Sequence, residues 1–194
     1  MPRALTEQEK CRICRKLLDK GKDIVFQQGM KKVSVDDITK AADMAKGSFY
    51  QHFESKEKYL YALMIDIHEQ IFEQAGQMLL SGGDLKATTR DFIRKLYHMP
   101  EMAFFTSNHL AINELIDTMP DQEMLSANQM ETDMFEKLMV AAGIDIQKVK
   151  PGVVHNYMHT LFMILSSDLM IEDYLPETVE LIMESLISYI FGGA

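Results

Sequence analysis

The sequence predicts an all-α fold in which a small helical head precedes a larger helical body. Apolar residues recur at three- and four-residue spacing along most of the chain, which is the period of an amphipathic helix. No stretch shows the alternation and turn signals of a β-hairpin. Since 47% of the 194 residues are apolar, the chain can bury a substantial core.

The first helix begins at a capping-box pattern. In Thr6-Glu-Gln-Glu9 the threonine hydroxyl can accept a hydrogen bond from the backbone N–H of Glu9. The Glu9 carboxylate can in turn accept one from the backbone N–H of Thr6. Apolar residues at helical spacing then continue to about Gln28. Gly29 is the expected C-cap residue, because glycine takes a positive φ without strain.

Two short helices joined by a tight turn come next. Ser34 is the expected N-cap of the helix Val35–Ala42, and Asp37 completes its capping box. The turn lies at Asp43-Met44, and the second helix covers about Ala45–His52. This arrangement is typical of a helix-turn-helix DNA reader. A helical hairpin that only fills a core is the alternative.

The rest of the chain is predicted to form further helices separated by turn-forming residues. Ser55 and Asp84 are good N-caps, and Ser81-Gly-Gly-Asp84 is the clearest break. Prolines mark most of the later helix starts. The predicted helices cover residues 56–80, 85–98, 108–118, 122–142, 151–170 and 176–191, and Pro100 opens a short additional segment.

The last two of these helices carry apolar residues over more than one face. A terminal helix of this kind usually packs against two neighbours. Two such helices in each chain could form a four-helix bundle with a second copy, so we favour a homodimer through residues 151–170 and 176–191. Burial within one chain is the alternative.

Charge is distributed unevenly between the head and the body. The whole chain has a net charge of −9, which argues against a general affinity for nucleic acid. Residues 1–60, however, contain 13 Lys and Arg against 9 Asp and Glu, a net of +4. Such asymmetry is a hint of a nucleic-acid-binding module joined to a different one.

No targeting or membrane segment is predicted. The N-terminus lacks the apolar core of a signal peptide, and no window of 18 residues is apolar throughout. We therefore expect a cytoplasmic protein with no membrane partner. Cys11 and Cys14 lie one helical turn apart, and ordinary half-buried thiols are favoured over a redox pair or half of a metal site.

The head contains a series of motifs in a fixed order: Phe26-Gln-Gln-Gly29, Ser34-Val-Asp-Asp-Ile38, Ala41-Ala42, Lys46-Gly-Ser-Phe-Tyr50, Phe53 and Ser55-Lys-Glu-Lys-Tyr-Leu60. In their order and spacing these residues resemble the DNA-binding segment of TetR-family transcriptional regulators over roughly residues 12–60.

This resemblance implies an all-helical homodimer of about nine helices. A three-helix DNA-binding domain at 1–55 would precede a helical ligand-binding and dimerisation domain at 56–194. It implies a repressor that a small-molecule effector releases from a pseudo-palindromic double-stranded DNA operator. Asp43 departs from the family pattern, which commonly has glycine in the turn, but Asp tolerates the left-handed conformation better than most residues.

The predicted DNA contacts divide into two chemical groups. The side chains at the start of the reading helix can reach base edges, and Gly47 leaves room for the backbone to approach DNA. The others can contact phosphates, including a lysine in the first turn of the fourth helix. The predicted DNA-binding residues are Ser34, Lys46, Gly47, Ser48, Tyr50, His52 and Lys56.

A ligand site is predicted in the body because the chain contains 16 methionines, most of them in the body, and methionine adapts to varied apolar shapes. The expected effector is a small, largely apolar molecule, and the acidic body could favour a cationic one. Ordinary core packing is the alternative for each residue. The predicted ligand-binding residues are Met64, Phe104, Phe105, His109, Met134, His155, Met158 and Phe162.

No catalytic residue, cofactor or metal ligand is predicted. His155 and His159 have a spacing that can bind metal, but no carboxylate or third histidine stands at a diagnostic distance in the sequence. Two rival functions remain. A helical-bundle metalloenzyme would contain bound metal. A helical adaptor protein would bind a protein partner, and duplex DNA would not compete with that partner.

Overall fold

The computed structural model describes residues 6–192, except for the side chains at 124 and 126–128. These residues form ten α-helices and one short 3-10 turn, with no strand among them, so the predicted all-α class is confirmed. The helices are α1 Glu7–Gln28, α2 Val35–Ala41, α3 Lys46–Tyr50, α4 Lys56–Leu79, α5 Leu85–Leu96, α6 Pro100–Ser107, α7 His109–Asp117, α8 Asp121–Ala141, α9 Pro151–Leu165 and α10 Leu175–Phe191.

The described part of the chain divides into two compact units. The first runs to His68 and also includes Leu110–Thr118, and the second comprises Glu69–His109 and the residues from Met119 onward. The chain therefore leaves the first unit within α4 and returns to it in α7. The predicted domain boundary at residue 55/56 lies at the start of α4, whereas the first compact unit continues to His68.

Local capping fixes the helix ends of the first unit as the sequence predicts. Thr6 and Ser34 both form complete capping boxes, with Glu9 and Asp37 as the returning carboxylates. Gly29 has φ 81° at the end of α1. Asp43 has φ 51° and is the one non-glycine residue with positive φ among those described. The turn between α2 and α3 therefore has the left-handed backbone expected at Asp43.

The core of the first unit is formed by α1, α2, α3 and the first half of α4. The Tyr59 hydroxyl donates a hydrogen bond of 3.0 Å to the Leu17 carbonyl, which fastens α4 to α1. Arg15 of α1 pairs with the buried Asp66 of α4 and adds a charged contact between the same helices. The apolar residues of this unit that are exposed by no more than 1% are Leu17, Val25, Val33, Ile38, Ala42, Phe49, Tyr59, Leu63 and Ile67.

The second unit has its own apolar core, and ion pairs lie at its edge. Arg90 and Arg94 of α5 each bind a carboxylate of α10 through two nitrogens, Glu184 and Glu180 respectively. The buried residues of this core are Ala75, Phe92, Ile93, Leu96, Met99, Met139, Val149, Val154, Met183, Leu186 and Ile187.

One predicted helix was too long. α9 ends at Leu165 rather than about Met170, whereas the other predicted bounds lie within two residues of those observed. The Ser166 hydroxyl donates to the Phe162 carbonyl, and the Ser167 hydroxyl accepts from the Leu169 amide. Serine side chains that bond to nearby backbone in this way compete with helix continuation. None of the described helices is both long and apolar enough to cross a membrane.

Candidate nucleic-acid interface

The helix-turn-helix consists of α2, α3 and the turn between them. Phe49 is fully buried and Phe53 is 8% exposed, so both act as core residues below the reading helix. Their rings pack on Tyr59 with centroid distances of 5.4 and 5.1 Å. This aromatic cluster fixes α3 on the rest of the first unit and leaves its opposite side outward.

Lys46 begins α3 and is engaged by an acid from α2. Its Nζ lies 2.9 Å from Asp36 Oδ1, and about half of the lysine side chain is exposed. The hydrogen bond and charge of Asp36 raise the pKa of Lys46. Lys46 is thus a fixed cation at the surface, and DNA would have to compete with Asp36 for it.

Three other predicted DNA contacts lie on or beside this surface. Tyr50 is 51% exposed, and its ring packs edge-on against Phe49. Ser48 is partly exposed. A Cβ on Gly47 would meet nothing within 4 Å, so the chain's own packing does not require glycine there.

Two further predicted DNA-binding residues form hydrogen bonds within the chain through their polar atoms. The Ser34 hydroxyl donates to Asp37 Oδ2 at 2.6 Å and accepts from the Asp37 amide as part of its capping box. Lys56 Nζ donates to the Lys31 carbonyl at 3.4 Å, so it holds the N-terminus of α4 against the loop before α2.

His52 does not face outward as the sequence suggested. Its Nδ1 lies 3.3 Å from Cys14 Sγ of α1, and its Nε2 is buried with no hydrogen-bond partner among the described residues. Burial raises the pKa of the Cys14 thiol. With both ring nitrogens turned into the unit, His52 presents neither to a phosphate in this conformation.

A further charged contact of the first unit involves α7. Lys31 Nζ lies 2.8 Å from Glu114 Oε1, and both side chains are more than half exposed. The loop that precedes the helix-turn-helix is therefore paired with a helix from much later in the sequence.

The predicted ligand-binding residues do not converge on one described cavity. Met64 is in the first unit, and the other seven are in the second. Phe104 and Phe105 are buried with their rings 5.7 Å apart. His109 Nδ1 lies 2.9 Å from the Thr106 carbonyl and can donate to it.

The second unit contains a polar atom that sequence reasoning missed. The hydroxyl of Tyr97 is buried and has no hydrogen-bond partner among the described residues. Burial raises the pKa of this phenol. In the sequence Tyr97 is only one more apolar position of the predicted helix 85–98, so nothing distinguished it there.

A cleft of about 480 Å³ lies between α9 and α10 in the second unit. Val153, Tyr157 and Thr160 line one side, and Leu181 and Ile182 line the other. None of the predicted ligand-binding residues contributes to it. The cleft exposes apolar surface along the two helices for which the sequence predicts dimerisation.

The structure also places a carboxylate beside the two histidines of α9. Glu131 Oε2 lies 3.5 Å from His155 Nε2 and 3.4 Å from His159 Nε2. Burial lowers the pKa of His155, whereas the hydrogen bond with Glu131 raises that of His159. Glu131 is on α8, more than twenty residues earlier, so a search for ligands at fixed sequence spacing could not find it.

Comparisons with known proteins connect the first unit to DNA-binding regulators. Residues 17–63 match the family model of bacterial regulatory proteins, tetR family. The HTH-type transcriptional repressor DhaR of Mycobacterium sp. (strain GP1) is 49% identical over 43 residues, which are 22% of this chain and 22% of that protein. The HTH-type transcriptional repressor KstR2 of Rhodococcus jostii (strain RHA1) is 30% identical over 81 residues, or 42% and 40% of the two chains. The chain thus matches less than half the length of these curated relatives.

Solved structures extend the likeness of fold to nearly the whole chain. A TetR-family transcriptional regulator from Pectobacterium atrosepticum superposes with a TM-score of 0.64 at 16% identity and covers 95% of this chain and 93% of its own. The fatty acid degradation regulator FadR of Bacillus halodurans gives 0.56 at 14% identity, with coverages of 95% and 97%. At these identities the likeness shows the fold alone.

Proposed function

We infer that this chain, whose residues 17–63 carry the DNA-binding segment of the TetR family, is a ligand-responsive transcriptional repressor that acts as a homodimer. The helix-turn-helix of the first unit is the observation that carries this inference. An effector bound to the second unit would release the protein from a pseudo-palindromic operator. Because the operator is chromosomal DNA, we place the protein in the cytoplasm.

The outward side of α3 would enter the major groove. Lys46 and Ser48 lie at the start of that helix, where side chains contact base edges in helix-turn-helix complexes. Tyr50 is exposed enough to reach a phosphate, and Lys56 lies at the beginning of α4. A phosphate bound near Lys46 would replace part of its interaction with Asp36.

Dimerisation would use α9 and α10. Leu181 is 67% exposed beside the cleft, and Ile182 and Val153 add further apolar surface there. An apolar patch that faces solvent in one chain is typical of an interaction surface. A two-fold axis through it would supply the second head that a palindromic operator needs.

The effector would bind among the apolar residues of the second unit. Phe104, Phe105 and Met158 provide apolar surface there, and the buried hydroxyl of Tyr97 lacks a partner among the described residues. A buried unpaired hydroxyl is costly unless a ligand or water satisfies it. We therefore propose a largely apolar effector with at least one hydrogen-bonding group.

The decisive experiment is selection of genomic fragments by the full-length protein, followed by anisotropy titration of the enriched duplex. We expect a palindromic sequence bound at least a thousandfold more tightly than random duplex. Apolar and cationic compounds added to the complex should include at least one that releases the DNA. Absence of any enriched sequence would overturn the proposal, and binding unaffected by every compound would overturn its ligand-responsive part.

A pair of variants tests the reading helix itself. Asp36→Asn should free Lys46 and tighten binding to all duplexes, whereas Lys46→Ala should weaken binding and relax the sequence preference, because it removes a cation at the groove. Anisotropy at several salt concentrations measures both effects. Lys137→Ala, an exposed lysine of α8, is the matched control and should change neither. Equal losses for Lys46→Ala and Lys137→Ala would contradict the assignment.

A further inference from the structure

Glu131, His155 and His159 bring three metal-binding groups together outside the DNA-binding unit. The candidate ligand atoms, one from each side chain, all lie within 4.8 Å of one another. They come from two packed helices, since Glu131 is on α8 and both histidines are on α9. Two histidines and one carboxylate form a ligand set that zinc and other divalent transition metals use in proteins.

Two of the three distances in this cluster fit a shared ion. Zinc lies about 2.0–2.2 Å from histidine nitrogen and carboxylate oxygen, so two ligands of a tetrahedral site stand about 3.4 Å apart. The glutamate oxygen lies 3.5 and 3.4 Å from the two histidine nitrogens. Each of these separations matches one edge of such a tetrahedron.

The surroundings hold His155 in the orientation that a ligand needs. Its Nδ1 lies 3.4 Å from the Thr132 hydroxyl, which directs Nε2 toward Glu131. The Phe135 ring stacks on the imidazole at a centroid distance of 5.9 Å, and Phe72 packs edge-on against Phe135 at 4.7 Å. Metal-ligating histidines usually have such an oxygen partner at the second nitrogen.

One side of the cluster is open to solvent. The His155 and Glu131 side chains are 13% and 19% exposed, whereas that of His159 is 52% exposed. An ion could therefore enter beside His159 and retain a water molecule or another ligand in its remaining position. A site with three protein ligands and an open position differs from a closed structural site.

We propose that Glu131, His155 and His159 form a binding site for one divalent transition-metal ion, with zinc as the expected class. Glu131 Oε2 and the two Nε2 atoms are the ligands, and Thr132 is a positioning residue. The site is independent of the proposed operator binding, since metal binding can be measured without DNA.

The test uses the full-length, untagged, chelator-treated protein titrated with Co²⁺ alone and then with Zn²⁺. We expect ligand-field absorption from one Co²⁺ per chain, displaced by Zn²⁺ but not by Mg²⁺, which prefers oxygen ligands. Elemental analysis after dialysis against Zn²⁺ should give the same ratio. No binding, or equal competition by Mg²⁺, would overturn the proposal.

Variants locate the ion. His159→Gln and Glu131→Gln should each weaken Co²⁺ binding by at least tenfold, and Thr132→Ala should weaken it by about tenfold through His155. His159 is the safest substitution for folding, since half of it is exposed. His98→Gln, an exposed histidine elsewhere, and Cys11→Ser, which removes an exposed thiol, are the matched controls.

Thermal unfolding separates a ligand role from a merely structural one. Zn²⁺ should raise the unfolding temperature of wild type and of both controls, because an ion that binds only the folded state stabilises it. The His159→Gln protein should unfold at the wild-type temperature without metal and should gain less from the same Zn²⁺ concentration. Undiminished Co²⁺ binding in both His159→Gln and Glu131→Gln would place the ion elsewhere and overturn the proposal.

Discussion

Gly21 is the residue of α1 whose missing side chain the first unit requires. A Cβ at this position would lie 1.7 Å from the Tyr59 hydroxyl oxygen and 3.2 Å from an Ile38 methyl group. Tyr59 is fully buried, so it cannot move aside without disturbing its neighbours. The close approach of α1 and α4 therefore depends on glycine.

Substitution of Gly21 should destabilise the protein although alanine favours helices. Gly21→Ala would displace Tyr59, break its hydrogen bond to Leu17, and cost about 1–3 kcal/mol through overpacking. Urea unfolding followed by circular dichroism measures the change. Gly76→Ala in α4 is the matched control: its Cβ would meet only a Leu138 methyl at 3.8 Å, and it should stabilise by up to about 1 kcal/mol. Changes of the same sign in both variants would contradict the explanation.

Single residues were predictable from the sequence where their role is local. The caps Thr6 and Ser34 and the left-handed Asp43 follow from neighbouring residues alone. His52 was not predictable, because its orientation depends on Cys14 of a helix 38 positions away. The sequence showed a polar residue at the end of the reading helix but not what packs against it.

Among the secondary-structure elements, α5 and α10 are joined by two arginine–glutamate pairs. The hydrogen bonds from Arg94 and Arg90 hold the pKa values of Glu180 and Glu184 below their usual range. A carboxyl whose pKa is lowered by folding stabilises the folded state above its unfolded pKa. That contribution disappears as pH falls through the folded pKa.

The double variant Glu180→Gln/Glu184→Gln should therefore unfold at a lower temperature than wild type at pH 7. The difference should begin to shrink as the pH falls below the ordinary glutamate pKa of about 4.3, and it should vanish once the wild-type carboxyls are protonated in the folded state as well. Because the four side chains are 27–48% exposed, solvent ions can reach them, and 0.5 M salt should reduce the difference as well. Thermal scans from pH 3.5 to 7 measure it, with Glu136→Gln of α8 as the control. A difference that stays constant with pH would refute the contribution of these pairs.

Helix bounds were easier to predict than contacts between helices. Capping residues and prolines located nearly every helix end, and the error at α9 arose from serine side chains that bond to nearby backbone. The neighbour of His155 and His159 could not be inferred, because Glu131 reaches them only once α8 packs on α9. The periodicity of apolar residues and the spacing of ligand residues give information about one helix at a time, not about contacts between helices.

For the whole molecule, the outward surface of α9 and α10 determines the oligomeric state that we propose. Leu181→Glu would place a charge in the centre of a desolvated interface, which is strongly unfavourable. We expect a folded monomer with much weaker operator binding, since Leu181 is exposed within the chain. Light scattering after gel filtration measures the mass. Val140→Glu, at an exposed apolar residue of α8, should remain dimeric, and a dimeric Leu181→Glu protein would exclude this face as the interface.

The pairing of Lys31 with Glu114 bears on how the DNA-binding part of the proposed regulator could be exchanged by recombination. The similarity to curated relatives covers only part of the chain and includes the predicted head. By itself this would suggest that the head can be exchanged as one continuous segment. Yet α7 belongs to the same compact unit as the head, and its Glu114 meets Lys31. A single crossover after residue 68 would import a foreign residue 31 while retaining the native Glu114. A transplanted acidic residue at that position would face a like charge, so only a hybrid that inherits both segments together would preserve this contact.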